Sequence, residues 1–201
     1  MKQSPIVVFD ALGTVQGYTG TVPDSSGYMN HKRFYQEMIA ADHGLTVEEM
    51  LRDVPYETQL EWTVEEVDAG RLIPRTIDGI ERVIGSYKRR GIHPVIMTAD
   101  NEEGARRSTR TLVESGLIDE EDVYAINHCG SKKDPRTWRK AQGIYIPDAD
   151  IVAVYEDTPA NLEAACEAYD CEGYLVTDTS EGVKVQKQGE KDESGNDNKD
   201  N

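Results

Sequence analysis

Short apolar runs separated by longer amphipathic stretches set the pattern of this chain. The runs are residues 6–9 (IVVF), 93–98 (HPVIMT), 123–127 (VYAIN), 151–155 (IVAVY) and 173–177 (GYLVT). Each is four to six residues long, rich in branched or aromatic side chains and followed by turn residues, which predicts five buried strands. Between them, apolar residues recur at helical spacing over residues 76–90, 101–115, 135–142 and 159–169. Strands alternating with helices of this length predict an α/β fold. We expect a Rossmann-like parallel sheet of five strands, in the order 3-2-1-4-5, with right-handed crossovers and helices on both faces. Residues 16–73 break the alternation. They show no strand signal and three helical segments, 31–42, 46–53 (with Thr46 and Glu49 as a capping box) and 57–69. Inserted after the first strand, this block projects over the carboxyl edge of the sheet as a cap. The predicted organisation is therefore a core of residues 1–15 and 74–177, a helical cap of 16–73, and a polar tail of 178–201.

Composition changes this picture in three places. The tail has almost no apolar residues, seven acids and four lysines, and is expected to be disordered because it cannot offset its ordering entropy. The chain of 201 residues carries a formal net charge of −16, which argues against nucleic acid or an anionic membrane surface as a partner. Cys129, Cys166 and Cys171 form no CxxC pair and predict neither a disulfide framework nor a zinc site. With no leader and no long apolar run, the expected location is cytoplasmic.

The candidate chemistry lies at the strand ends, which a parallel sheet brings to one edge. The first strand ends at Asp10, followed by Ala11-Leu12-Gly13-Thr14, and the second ends at Thr98. Lys132 and Lys133 precede the fourth strand, which ends at Glu156-Asp157. Three carboxylates, a hydroxyl and an ammonium at one edge suit Mg²⁺ together with a phosphate.

In this arrangement the chain resembles the haloacid dehalogenase-like hydrolase superfamily. DALGT resembles its first motif, DxDGT, at four of five positions. IMT (96–98) resembles the second motif, KKDPRTW (132–138) the third, and VYEDTPANLEAA the Glu-Asp form of the fourth. The resemblance covers about residues 4–177. It implies Asp10 as a nucleophile forming an aspartyl-phosphate. It implies Mg²⁺ held by Asp10, the backbone carbonyl of Leu12, Asp157 and Glu156, the last directly or through water. Thr98 and Lys132 would hold the phosphoryl oxygens, with Lys132 neutralising the charge that gathers at Asp10. The partner implied is a small phosphorylated or acidic molecule, since caps of this size serve sugar phosphates, nucleotides and small acids alike. Neither substrate nor oligomeric state is specified by these motifs.

Leu12 departs from the family pattern, which has an acid–base aspartate there in its phosphatases. Leucine moves no proton, but its carbonyl remains available to a metal. Four readings stay open. The first is a phosphatase of reduced or unusual activity, restricted to good leaving groups or borrowing an acid from the cap, with Asp24, Asp42, His43 and Asp53 as candidates. The second is a degenerate protein that binds a phosphorylated ligand without turnover. The third is a 2-haloacid dehalogenase, whose first motif resembles DALGT but which lacks the fourth-motif acids. The fourth is a phosphonate hydrolase, which needs a cap lysine and finds only Lys32 in the cap. More ordinary roles are also available. Thr98 could cap the following helix, and Glu156-Asp157 could be helix N-terminal acids. Lys133 and the cluster Arg106, Arg107 and Arg110 could face solvent. His31, His43, His93 and His128 show no metal spacing, and Trp62 could belong to the cap core rather than to a substrate platform.

Overall fold

The computed structural model describes residues 4–20, 31–179 and 182–189. The first strand, β1 (Ile6–Phe9), is buried on both faces, as expected of the middle of a parallel sheet. A two-stranded antiparallel ribbon, β2 (Gln16–Gly20) and β3 (Leu72–Thr76), brackets the cap helices α1 (His31–Asp42), α2 (Val47–Asp53) and α3 (Tyr56–Asp68). The core resumes with α4 (Ile80–Arg89), β4 (His93–Thr98), α5 (Glu102–Ser108), α6 (Arg110–Glu114) and β5 (Val123–Ala125). It continues through α7 (Pro135–Tyr145), β6 (Ile151–Glu156), α8 (Pro159–Tyr169), β7 (Glu172–Thr179) and β8 (Gly182–Lys187). The main sheet runs β5-β4-β1-β6-β7-β8. Its first five strands are parallel and follow the expected order, and β8 adds antiparallel to β7.

Alternate residues of β1 feed two cores. Val7 and Phe9 pack with Ile80, Ile84 and Tyr87 of α4 and Leu112 of α6. Ile6 and Val8 pack with Trp138 and Ala141 of α7 and Leu162 and Ala165 of α8. Helices therefore cover both faces of the sheet. Phe9 stacks on Tyr155 with ring centroids 4.8 Å apart, and Tyr155 stacks on Tyr174 at 4.6 Å. The cap has its own small core of Tyr18, Ile39, Ala40, Met50 and Leu72, with Leu12 and Trp62 packed against it. The capping box at Thr46 and Glu49 is present. Among the described residues no helix is long and apolar enough to cross a membrane.

Three expectations need correction. Residues 16–73 are not purely helical, because β2 and the start of β3 lie within them. The sequences QGYTG and LIPRT carry two glycines and a proline, which hide a strand pairing made largely through backbone. The helix expected over 101–115 is broken at Thr109. Ser108 and Thr109 both donate their hydroxyls to the Ala105 carbonyl, which also accepts the Thr109 N–H at 3.1 Å, and the next bond tightens to the i−3 type, with the Leu112 N–H donating to the Thr109 carbonyl at 2.9 Å. The tail expected from residue 178 pairs as far as Lys187. Val183 packs against the core, and its N–H donates to the Asp78 carbonyl at 2.9 Å. Residues 190–201 lie outside the described residues.

Candidate active site

Asp10 is held where β1 meets β6, its backbone N–H donating to the Tyr155 carbonyl at 2.9 Å. That register sets it beside Glu156, the last residue of β6. Gly13 closes the turn with φ +90°, and a Cβ there would lie 2.6 Å from Asp157 Oδ2, so the turn and the carboxylate fit only around glycine. Lys132 reaches the pair from the loop before α7. Asp134 caps that helix by accepting the Arg136 N–H at 2.9 Å. Trp138 donates its indole N–H to the Lys132 carbonyl at 2.7 Å and sets its ring 4.9 Å from the Lys132 Nζ.

The result is a buried charge cluster. Lys132 Nζ donates to Asp10 Oδ1 and to Glu156 Oε2, each at 2.6 Å. Glu156 Oε1 accepts the Thr158 N–H and the Asn161 side-chain amide, both at 3.2 Å, at the start of α8. Burial by itself would lower the Lys132 ammonium, but the charges of Asp10 and Glu156 outweigh it and hold it above its ordinary value. Burial first, and Asp10 second, push the Glu156 carboxyl up to about 8 against the pull of Lys132. Carboxylate oxygens of Asp10, Glu156 and Asp157 all lie within 4.8 Å of one another, a hard-oxygen donor set that fits a small dication.

Asp10, Leu12, Thr98, Lys132, Glu156 and Asp157 all line one cavity of about 350 Å³ between core and cap. A larger groove of about 890 Å³ runs beside α5 and α6 and contains none of them. Thr98 is buried at the end of β4, and its Oγ1 accepts the Asp100 N–H at 3.3 Å. It is not the cap of the next helix, a role taken by Asn101, whose Oδ1 accepts the Gly104 N–H at 2.8 Å. Lys133 is exposed.

No protein-family model and no curated protein matches this sequence. Solved structures do match its fold. A conserved haloacid dehalogenase-like protein of unknown function from Agrobacterium tumefaciens superposes with a TM-score of 0.53 at 11% identity, covering 85% of this chain and 82% of that one. A HAD family hydrolase from Deinococcus radiodurans, solved with bound phosphate and sodium, gives 0.52 at 15% identity over 85% and 79%. The chain has the haloacid dehalogenase-like fold. CbbY from Rhodobacter sphaeroides, in complex with phosphate, gives 0.50 at 15% identity over 87% of each chain.

Within this haloacid dehalogenase-like fold, three of the four residues expected to stand in for Leu12 lie away from the cavity. Asp42 pairs with Arg71 at 3.5 Å, His43 stacks on Trp62 at 3.6 Å, and Asp53 pairs with Arg52 at 2.7 Å. Asp24 lies outside the described residues. Trp62 belongs to the cap core. Arg107 does more than face solvent, since it bridges Glu103 at 2.6 Å and Asp68 at the end of α3. The cavity instead contains residues that the strand-end motifs do not reveal: Asp100 from the core and Tyr18, Tyr35 and Tyr56 from the cap. The only sequence signal for Asp100 is its position two residues beyond Thr98.

Proposed function

We propose that this protein is a Mg²⁺-dependent phosphoric monoester hydrolase that works through a covalent intermediate on Asp10. The observation that carries the reading is the Lys132 ammonium shared at 2.6 Å between Asp10 and Glu156 on the floor of the cavity. A carboxylate nucleophile attacking a phosphate dianion needs a fixed positive charge at the reacting oxygens, and Lys132 supplies one. Asp10 and Asp157, with the Leu12 carbonyl and with Glu156 directly or through water, would hold Mg²⁺. When bound, the ion would neutralise the phosphoryl oxygens and orient them for in-line attack. Thr98 would donate its hydroxyl to a phosphoryl oxygen. An Asp10 oxygen attacks phosphorus, the ester P–O bond breaks and the alcohol leaves. Water then attacks the aspartyl-phosphate, releasing phosphate and restoring Asp10. The bound phosphate of two fold relatives supports the reading, and a cavity of about 350 Å³ favours a small leaving group.

Leu12 favours a second reading, a protein that binds a phosphorylated ligand without turning it over. Phosphate release from p-nitrophenyl phosphate, with and without Mg²⁺, separates the two. Hydrolysis that needs Mg²⁺ and falls by at least ~10³-fold in Asp10→Asn supports the hydrolase. Saturable binding of phosphate esters with no release supports the binding protein. Metal-independent halide release from a 2-haloacid would move the assignment to a dehalogenase.

A further inference from the structure

Asp100 is a third buried carboxyl in the cavity that holds Asp10 and Glu156, and its surroundings are of the opposite kind. Asp10 is bonded to the Lys132 ammonium. Asp100 has no ion-pair partner among the described residues, and no backbone N–H among them donates to its carboxyl. Tyr18 from β2, Tyr35 from α1 and Tyr56 from α3 share the cavity with it, together with Leu60 and Thr63 of α3. On its other side lies the first turn of α5, where a Cβ on Gly104 would sit 2.6 Å from Asp100 Oδ1. The Gly104 N–H is already taken by Asn101, so Asp100 is not a helix cap. Arg107 of α5, which lines an adjoining hollow with Asp100, is engaged by Asp68 and Glu103.

We propose that Asp100 supplies the leaving oxygen with its proton and then takes one from the attacking water, in the phosphoryl transfer proposed above at Asp10. The inference rests on that reading. Two carboxyls whose environments differ in this way divide the roles of nucleophile and acid between them. Burial first, and the charge of Asp10 second, push Asp100 from 3.8 up to about 7, which keeps it protonated up to neutral pH. The other groups in the cavity are poorer donors. Leu12 has no proton to give, Lys132 is committed to two carboxylates, and Glu156, though raised, has both oxygens engaged by Lys132, the Thr158 N–H and Asn161; burial raises the Tyr56 phenol as well. Burial holds the Tyr18 phenol well above its ordinary value, with the charge of Asp100 adding to it. It does the same for Tyr35, with Tyr56 and then Asp100 adding to it. As the ester P–O bond breaks, the departing oxygen takes the Asp100 proton and leaves as a neutral alcohol. The Asp100 carboxylate then removes a proton from water as the water oxygen bonds to phosphorus. Asp10 departs as carboxylate, and Asp100 is protonated again.

The test compares an aryl ester, p-nitrophenyl phosphate, with an alkyl ester, butyl phosphate, in the wild type and in Asp100→Asn. The nitrophenolate leaves without a proton, whereas butoxide does not. In Asp100→Asn the first turnover of the aryl ester should stay within about 3-fold of wild type, and that of the alkyl ester should fall by ~10²-fold or more. Later turnovers should be slow for both esters, with phosphorylated Asp10 accumulating by mass spectrometry. In the wild type the alkyl first turnover should decline as pH rises through about 7, where the acid loses its proton, and the aryl first turnover should not. This profile needs no variant, so a misfolded Asp100→Asn leaves the inference open to refutation. Equal losses on both esters, or the same pH profile for both, would overturn the role of Asp100 while Asp10→Asn remained inactive. A wild type that hydrolyses neither ester, or an Asp10→Asn variant that keeps the activity, would overturn the parent reading and this inference with it.

Discussion

The absence of one methyl group at Gly13 decides how closely the first loop approaches Asp157. With φ at +90° and a would-be Cβ 2.6 Å from Asp157 Oδ2 and 2.8 Å from its Cγ, alanine is excluded twice over. Gly13→Ala should therefore destabilise the fold by roughly 1–3 kcal/mol in urea unfolding. It should also weaken Mg²⁺ binding by at least ~10-fold in calorimetry, because Asp157 must move. Unchanged affinity would mean that Asp157 is not a ligand. The visibility of such residues in the sequence follows from what surrounds them locally. Asp10, Thr98, Glu156 and Asp157 each end or follow an apolar strand, and a parallel sheet brings strand ends together. Lys132 sits in a motif with its own helix cap and tryptophan buttress. Asp100 lacks any such local mark. A carboxylate before a helix is ordinarily a surface acid, and Asp100 is buried in a cavity whose tyrosines lie more than forty residues away in the chain.

At the scale of elements, strands buried on both faces announce themselves as continuous branched runs, which is why β1, β4 and β6 are legible. β2 and β3 are not, because their pairing is carried by backbone and by Gln16, whose amide donates to the Arg75 carbonyl and whose Oε1 accepts the Thr111 hydroxyl at 3.0 Å. Nor is β8, where two valines are lost among polar neighbours. The pairing of β8 ties part of residues 178–201 to the fold. Removing residues 181–201 should lower stability by about 2 kcal/mol in urea unfolding, since it takes away Val183 from the core and a six-residue ladder on β7. A truncated protein as stable as the full chain would mean that β8 adds nothing to the fold.

At the scale of the whole molecule, core and cap enclose a site with more acids than cations, and this ties stability to pH and to cations. Asp100 is raised from 3.8 in the unfolded chain to about 7 in the fold, and Glu156 from 4.5 to about 8. A carboxyl raised on folding contributes stability that is complete below the unfolded value and is lost as pH rises through the folded one. In metal-free protein the melting temperature should therefore fall between about pH 5 and pH 8, and it should fall less in Asp100→Asn. Equal slopes would remove Asp100 as a contributor and leave the effect to Glu156. A ligand that binds only the folded state adds about 2.7 kcal/mol at a hundred times its dissociation constant, so Mg²⁺ should recover much of the loss. The central claim, that Asp10 is a nucleophile, is tested most directly by acid-quenching the protein during turnover of p-nitrophenyl phosphate with Mg²⁺ and mapping its peptides by mass spectrometry. The account predicts one acid-stable phosphoryl group, on Asp10 and absent from Asp10→Asn. Turnover with no adduct, or with the adduct on another residue, would contradict it.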